Sequence, residues 1–214
     1  MRKCSKRWSG LGMGMAMAMF AGCASTSAGG GNAGLPAEMT SLLREGKVDR
    51  TRTYLDMAGR VEKTAFYVGA ADLPKWVLDE AERRLGQGIG EGDDYEVEHY
   101  PEHGLVYEVK RVVAGKAREL SFKADRSLLY EEVEVERSEL PDPVRSQLGH
   151  GEAAGFALKS AVKTTWGDGT VQWQLKLIKN ERQHRQRFDK DGVLVSNSVE
   201  APGKVEIIGA PVPF

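Results

Sequence analysis

Two stretches of the sequence decide the fold: "ADLPKWVLDEAERRL" at residues 71–85 and "ELPDPVRSQLG" at residues 139–149. Each contains a Leu-Pro pair with a valine three residues after the proline, and the two pairs, at Leu73 and Leu140, lie 67 positions apart. Proline is well tolerated in the first turn of a helix, where its missing N–H would have no intrahelical partner. In the first stretch the apolar residues recur every three or four positions, and Gly86 is a typical stop. The sequence therefore predicts the same helix start twice.

The similarity extends beyond the predicted helices. "LVYEVKRVVAGKARELSF" at residues 105–122 aligns with "VQWQLKLIKNERQHRQRF" at residues 171–188 without a gap, at an offset of 66. Apolar and polar residues alternate in both segments, which predicts antiparallel strands. The same alternation places Tyr107 and Trp173 on the core face rather than on a binding surface.

Together these segments predict an α+β fold in which a unit of one helix and four antiparallel strands is used twice in tandem. A partial third copy at residues 54–74 precedes the two units and supplies an introductory hairpin over residues 55–69. We expect helices on one face of the sheet and an open second face. Pro143, Gly149 and Gly151 shorten the second helix to about two turns.

Turn residues support the strand assignments. "DKDG" at residues 189–192 predicts a hairpin, because glycine accepts a positive φ. Arg126 holds the corresponding position in the first unit, at a higher conformational cost. By analogy with residues 133–139, residues 205–209 are predicted to form a closing strand.

The L-P-x-x-V helix start, the aromatic-rich strand pair and the D-x-D-G hairpin resemble the PepSY-like domains. These include a tandem-repeat form related to the secreted β-lactamase inhibitor proteins. The resemblance covers residues 54–208 and implies a binding module that restrains a peptidase or another envelope hydrolase. No inhibitory loop of the family matches this chain residue by residue.

The N-terminus carries an export pattern. A basic start is followed by an apolar run of about 11 residues, which is too short for a bilayer-spanning helix of roughly 20. Phe20-Ala21-Gly22-Cys23 resembles a bacterial lipobox. The resemblance implies cleavage between Gly22 and Cys23, acylation of Cys23, and a lipid anchor facing the periplasm, with the outer membrane favoured by Ala24. An ordinary signal peptide with a chance cysteine is the alternative.

These patterns divide the chain into five segments. We predict a lipoprotein signal peptide (1–22), a Gly/Ser/Ala tether (23–34), an N-terminal helical segment (35–53), repeat 1 with its hairpin (54–139), and repeat 2 with the closing strand (140–214).

Charge limits the partners. Removing residues 1–22 takes four of the 30 lysines and arginines, which leaves 26 against 31 acidic residues and a net charge of −5. A nucleic-acid partner would require a concentrated basic surface, so none is predicted. Cys4 leaves with the signal peptide and Cys23 carries lipid, so we expect no disulfide.

The charges are unevenly distributed. Residues 72–139 carry a net charge of −8, whereas residues 140–206 carry +2. An ordinary solvated surface explains this, and so does a bipolar sheet face that steers a charged partner. The basic residues gather on one predicted hairpin of the second unit: Lys176, Lys179, Arg182, Arg185 and Arg187.

No catalytic constellation is found, and no catalytic, cofactor or metal residues are predicted. The i, i+2 glutamates, such as Glu96/Glu98 and Glu132/Glu134/Glu136, are expected in rows on one solvated sheet face. The segment "EVEHYPEH" at residues 96–103 suggests a metal site, but its spacing is not typical of zinc.

Two classes of function remain. The first is a non-enzymatic, lipid-anchored envelope protein that binds a protein or peptide on its open sheet face. The second is a periplasmic sensor or carrier of a small ligand or metal, which would use the sheet concavity and the glutamates and histidines of residues 96–103.

Overall fold

The computed structural model describes residues 34–56, 58–86, 92–151, 154–180 and 182–200. They contain a ten-stranded antiparallel sheet in which strand order follows chain order. Each interior strand therefore pairs with the strands before and after it, and short turns join most of these antiparallel neighbours. The strands are β1 (Val48–Leu55), β2 (Val61–Val68), β3 (Asp94–Tyr100), β4 (Gly104–Val113), β5 (Lys116–Lys123), β6 (Leu128–Val135), β7 (Ala157–Trp166), β8 (Val171–Lys179), β9 (Arg182–Asp189) and β10 (Leu194–Glu200).

The described residues also form three α-helices: α1 (Ala37–Arg44), α2 (Lys75–Leu85) and α3 (Asp142–Arg145). The protein is thus mostly an antiparallel sheet with few helices, which fits the predicted α+β class loosely. None of these helices has the length and apolar character needed to cross a membrane.

The main core lies between α1, α2 and the first half of the sheet. Met39 of α1 and Val77 of α2 are fully buried against apolar side chains of β3, β4 and β5, among them Val97, Val109 and Phe122. Burial of this apolar area is the main stabilising contribution to the fold. Tyr107 packs in the same cluster, so its predicted core position is confirmed.

A smaller core lies under the second half of the sheet. Leu140 and Val144, at and beside α3, pack against Leu175, Leu177 and Phe188 of β8 and β9. Trp173 packs against this cluster from the same sheet face, which confirms its prediction. Both cores lie on one face of the sheet, because cross-strand pairs connect their residues.

The two Leu-Pro starts have the same local structure. A 3₁₀ turn precedes each one (Ala70–Asp72 and Arg137–Glu139), the leucine is buried, and the proline occupies the N-cap position of an α-helix.

The two helices end differently. α2 ends at Gly86, whose φ of 70° is left-handed. α3 spans four residues, about one turn instead of the predicted two. Pro143 lies in the first turn of α3, where proline is tolerated, and the helix ends before the positive-φ residues Gly149 and Gly151.

The segment boundaries near the N-terminus differ from those predicted from the sequence, which placed a helical segment at residues 35–53. α1 ends at Arg44, and β1 begins at Val48 and runs across the predicted boundary at residue 53. The observed hairpin is therefore longer than the predicted one. The signal peptide, Cys23, nearly all of the tether and the predicted closing strand at 205–209 lie outside the described residues.

The turn chemistry follows the sequence. Gly192 has a φ of 77°, and Asp189 Oδ1 accepts backbone hydrogen bonds from Asp191 and Val193, each at 2.9 Å. Arg126 has a φ of 71°, as expected for a residue at a glycine position. The tandem repeat as such stays a prediction, since the element order alone does not establish it.

Candidate functional site

The face of the sheet opposite the helices is concave and forms a groove of about 380 Å³, here called the open groove. Alternate residues of the strands point into it, because side chains alternate between the faces of a sheet. Fourteen of the lining residues are charged and five are aromatic. The lining residues are Arg50, Arg52, Tyr54, Lys63, Tyr67, Asp94, Glu96, Tyr100, Glu108, Lys110, Ala117, Arg118, Glu119, Tyr130, Glu132, Glu134, Ser160, Val162, Trp166, Gln174, Lys176, Arg185 and Arg187.

Carboxylates form the floor of the open groove. Glu96 and Glu108 are 7% and 5% exposed, and Glu98 beneath them is 0% exposed. Glu119 and Glu132, on the adjacent strands β5 and β6, are partly buried. We call these five residues the carboxylate floor.

The burial of these side chains corrects the sequence prediction of solvated rows. The i, i+2 spacing does place Glu96 and Glu98 on one sheet face. That face is not solvated at the centre, because it is concave and is lined by Tyr54, Tyr100 and Trp166. Glu136, beyond the end of β6, is exposed as expected.

Neighbouring hydroxyls donate hydrogen bonds to the floor. Tyr130 OH and Ser121 Oγ both donate to Glu108 Oε2, at 2.8 and 3.2 Å. Thr164 Oγ1 donates to Glu132 Oε1 at 2.8 Å. Buried polar groups need such partners, so these bonds fix the position of the carboxylates.

Lys63 supplies a buried positive charge. Its Nζ lies 2.5 Å from Glu98 Oε1, and it also lies over the rings of Tyr54 and Tyr100, at 4.6 and 5.3 Å from their centroids. Although burial on its own would lower the pKa of Lys63, the attraction of Glu98 raises it. Glu98 Oε2 has no hydrogen-bond partner among the described residues.

Burial also changes the acidity of the floor. Burial, and then the repulsion of Glu108, raises the pKa of Glu98 to about 8. The same two causes raise the pKa of Glu119 well above its ordinary value. Burial raises the pKa of Glu96 and of Glu132 as well. Glu98 therefore retains its proton up to about pH 8, and burial opposes ionisation of Glu96, Glu119 and Glu132 as well.

Two pairs of cations flank the floor. Arg50 and Arg52 of β1 both lie over the ring of Tyr67, with Cζ 3.7 and 5.1 Å from its centroid. Lys176 of β8 lies directly opposite Arg185 of β9 in the strand register. We call these pairs the first and second basic rims.

Arg187 connects the second rim to the floor. Its guanidinium donates to Gln174 Oε1 at 3.1 Å and lies 3.8 Å from Glu132 Oε1. It also lies 5.7 Å from the ring centroid of Trp166, which packs edge-on against Tyr130. Of the five basic residues predicted on one hairpin, Lys176, Arg185 and Arg187 line the groove, whereas Lys179 and Arg182 are exposed at the far end of the hairpin.

The histidines do not join the floor. His99 is opposite Leu105 in the register, on the helix-covered face, and the ring of His103 lies beside Tyr100, 5.7 Å between centroids. His184 packs against Phe156, with ring centroids 4.4 Å apart. His150 is exposed.

Three of the floor residues could hold a hard cation. One carboxylate oxygen from each of Glu96, Glu98 and Glu108 lies within 4.8 Å of the others, and oxygen ligands suit Ca²⁺ or Mg²⁺. The Lys63 ammonium already occupies one side of this cluster and opposes a second cation.

No family model matches the chain, and no curated protein matches its sequence. The resemblance to PepSY-like domains therefore stays a prediction.

Several solved structures are similar to the chain at low identity. A BLIP-like protein from Bacteroides fragilis is 15% identical, with a TM-score of 0.45 over 62% of this chain and 91% of its own. A DUF2874 family protein from Bacteroides uniformis is 11% identical, with a TM-score of 0.47 over 59% and 89%. A structure from Bacteroides eggerthii described as "putative periplasmic proteins" is 12% identical, with a TM-score of 0.48 over 59% and 88%. None of them identifies a partner or an activity for this chain.

Proposed function

We propose that the protein is a non-enzymatic binding protein of the cell envelope whose open groove receives a protein or peptide. The observation that supports this most directly is the groove itself. It occupies the sheet face opposite both hydrophobic cores and is lined by five aromatic side chains and fourteen charged ones.

The composition of the groove suits a macromolecular partner. Aromatic residues and arginine are enriched where proteins bind one another, because they combine a large contact area with hydrogen bonding. Tyr54 and Trp166 are partly exposed and provide such surfaces, and the guanidinium groups of Arg50 and Arg187 line the same groove. The mature chain is acidic overall, which is unfavourable for a nucleic-acid partner.

The finer parts of the proposal rest on the sequence. Cys23 carries lipid, residues 23–34 form a flexible tether, and the folded domain faces the periplasm from the outer membrane. Two PepSY-like repeats, residues 54–139 and 140–214, supply most of the sheet, and most of β1 precedes them. By the resemblance to that family, the partner is a peptidase or another hydrolase that binding restrains.

A displayed peptide library tests the binding function. Peptides selected on the 214-residue chain are expected to lose affinity when Ser160→Trp fills the groove, and to keep it in the matched variant Lys75→Trp on the exposed surface of α2. Circular dichroism and thermal unfolding verify that both variants fold. Selected peptides that bind Ser160→Trp as tightly as the unmodified chain would refute a groove-binding function.

A metal or small-ligand carrier is the second candidate, because Glu96, Glu98 and Glu108 converge. It predicts that Ca²⁺ or Mn²⁺ raises the melting temperature of the chain and that Glu108→Gln abolishes the increase. If neither ion changes the melting temperature, a metal-carrier function is refuted.

A further inference from the structure

The second basic rim brings two like charges together. Lys176 and Arg185 are directly opposed on neighbouring strands, an arrangement that destabilises a sheet unless an anion lies between the two side chains. Glu200 approaches from the edge, 3.4 Å from Arg185. Burial, and then the repulsion of Arg185 and Lys159, lowers the pKa of Lys176. Lys176 and Arg185 thus lie beside a single carboxylate, which leaves a local excess of positive charge.

The first basic rim also holds two cations side by side, but burial of Arg52 is outweighed by Tyr67, Tyr54 and Glu96, which raise its pKa and favour its charge. Arg50 and Arg52 are two residues apart on β1, so both point to the groove face, and both guanidinium groups lie over the single ring of Tyr67. No ion pair of either arginine is found among the described residues.

The groove as a whole is more positive than the rest of the molecule. Its lining residues include eight lysines and arginines against six acidic residues, whereas the full chain has 30 basic and 31 acidic residues. Four of the six acidic lining residues belong to the carboxylate floor, whereas Arg50 and Lys110 are exposed, as is Asp94. The net positive lining favours the anionic groups of a partner.

We propose that the open groove binds an acidic peptide segment, whose carboxylates pair with Lys176 and Arg185 on one rim and with Arg50 and Arg52 on the other. This inference rests on the proposed binding function and specifies the chemistry of the partner. Arginine pairs well with carboxylates because its planar guanidinium matches both carboxylate oxygens.

A peptide fits better than a densely charged polymer. The carboxylate floor separates the two rims, so a phosphate or sulfate on every unit of a bound polymer would lie against Glu96 and Glu108. A peptide can instead place carboxylates at its ends and neutral or aromatic residues over the floor. The nine strands that line the groove measure about 38 Å along the curved sheet, so an extended peptide of about 12 residues is long enough to reach both rims.

Fluorescence anisotropy with three labelled peptides of about 12 residues tests the inference. One carries glutamate at both ends, one carries lysine there, and one is uncharged, all with the same Ser/Tyr centre. The charge-reversed variant Lys176→Glu/Arg185→Glu is compared with Lys75→Glu/Arg137→Glu, which makes the same change of net charge on exposed residues outside the groove. Thermal unfolding of each variant verifies its fold.

The glutamate peptide is expected to bind most tightly, and the groove variant to weaken it about tenfold while the control variant leaves it nearly unchanged. Tighter binding of the lysine peptide would overturn the acidic-partner inference and leave the groove as a peptide site. Equal losses in the two variants would also overturn it, because they would indicate non-specific attraction.

A heparin fragment added as a competitor distinguishes a polyanionic glycan from a peptide. Heparin that binds through the second rim more tightly than the glutamate peptide would overturn the proposal in favour of a carbohydrate. Failure of all three peptides, when library-selected peptides of other composition do bind the groove, would refute the acidic partner but not the binding function. If neither the three designed peptides nor any library-selected peptide binds the groove, both the acidic partner and the binding function are refuted.

Discussion

Lys63 Nζ lies 2.5 Å from Glu98 Oε1 on the neighbouring strand, with the Glu98 side chain fully buried and Lys63 17% exposed. Removal of one partner of a buried ion pair leaves the other charge uncompensated, which is more costly than loss of an exposed pair. This pair therefore links the floor of the groove to the stability of the fold.

Lys63→Met is expected to lower the free energy of unfolding by about 3 kcal/mol at about pH 8.5, as measured by urea denaturation. The loss is smaller at about pH 5.5, where Glu98 holds a proton and needs no counter-ion. The matched control is Lys75→Met, which removes an exposed pair with Asp79, also at 2.5 Å, and should cost much less. Equal losses in the two variants would show that the Lys63–Glu98 pair has no special role.

The carboxylate floor predicts an unusual pH dependence. Burial and the repulsion of Glu108 raise the pKa of Glu98 in the folded chain to about 8, whereas the unfolded chain titrates near the ordinary value of 4.5. Between these values the folded state binds more protons, so its stability is highest at the acidic end and falls as the pH rises towards 8. For each additional proton that the folded state binds, the free energy of unfolding falls by about 1.4 kcal/mol per pH unit as the pH rises.

Urea unfolding from about pH 5.5 to about pH 8.5 measures this slope. Carboxylates with lowered pKa values, such as Glu80 at about 2, reduce the stability of the fold only when they are protonated, at pH values below this window. Glu98→Gln keeps the shape of the side chain and should flatten part of the slope. Stability that rises steadily over the same range would mean that the floor is ionised in the folded protein.

Gly192 connects the last hairpin to α3. A Cβ at this position would lie 2.7 Å from the backbone carbonyl of Pro143, and the φ of 77° disfavours any other residue. Gly192→Ala is therefore expected to cost about 2 kcal/mol or more, measured by thermal unfolding. Gly169→Ala shares the positive φ but meets open space, so its smaller cost isolates the contact with α3.

Lipid attachment at Cys23 is predicted from the sequence alone. Cells fed an alkyne-labelled palmitate should label the unmodified chain, and Cys23→Ser should lose the label and leave the membrane fraction. Equal labelling of the two chains would place any lipid elsewhere. A soluble, processed and unlabelled wild-type chain would instead indicate an ordinary signal peptide.

Much of the sheet was predictable from local patterns. The alternation around Tyr107 and Trp173 identified the core face, and the Leu-Pro starts at Leu73 and Leu140 both precede helices. The core face and the helix starts depend on residues that are close in sequence, so a single sequence is enough to predict them. The length of α3 was overestimated: the helix ends at Arg145, and Gly149 and Gly151 take positive φ soon after it.

The floor of the groove was not predictable in the same way. The spacing of Glu96 and Glu98 correctly gave a common face, but their burial depends on Lys63 and Tyr130, which reach them from other strands. Lys63 itself lies in an ordinary strand, "VEKTAFYV", with no local motif that signals an ion pair. Curvature brings these groups together, and curvature is a property of the whole sheet.

Site-specific photocrosslinking in cells tests the central claim, that the open groove is the binding surface. A benzoylphenylalanine at Ser160 or Tyr54, in the groove, is compared with one at Lys75 on the exposed surface of α2. The account predicts a light-dependent adduct with a cell-envelope protein from the two groove positions and none from Lys75. An adduct at Lys75 with none at Ser160 or Tyr54, or no protein adduct at any of the three, would contradict it.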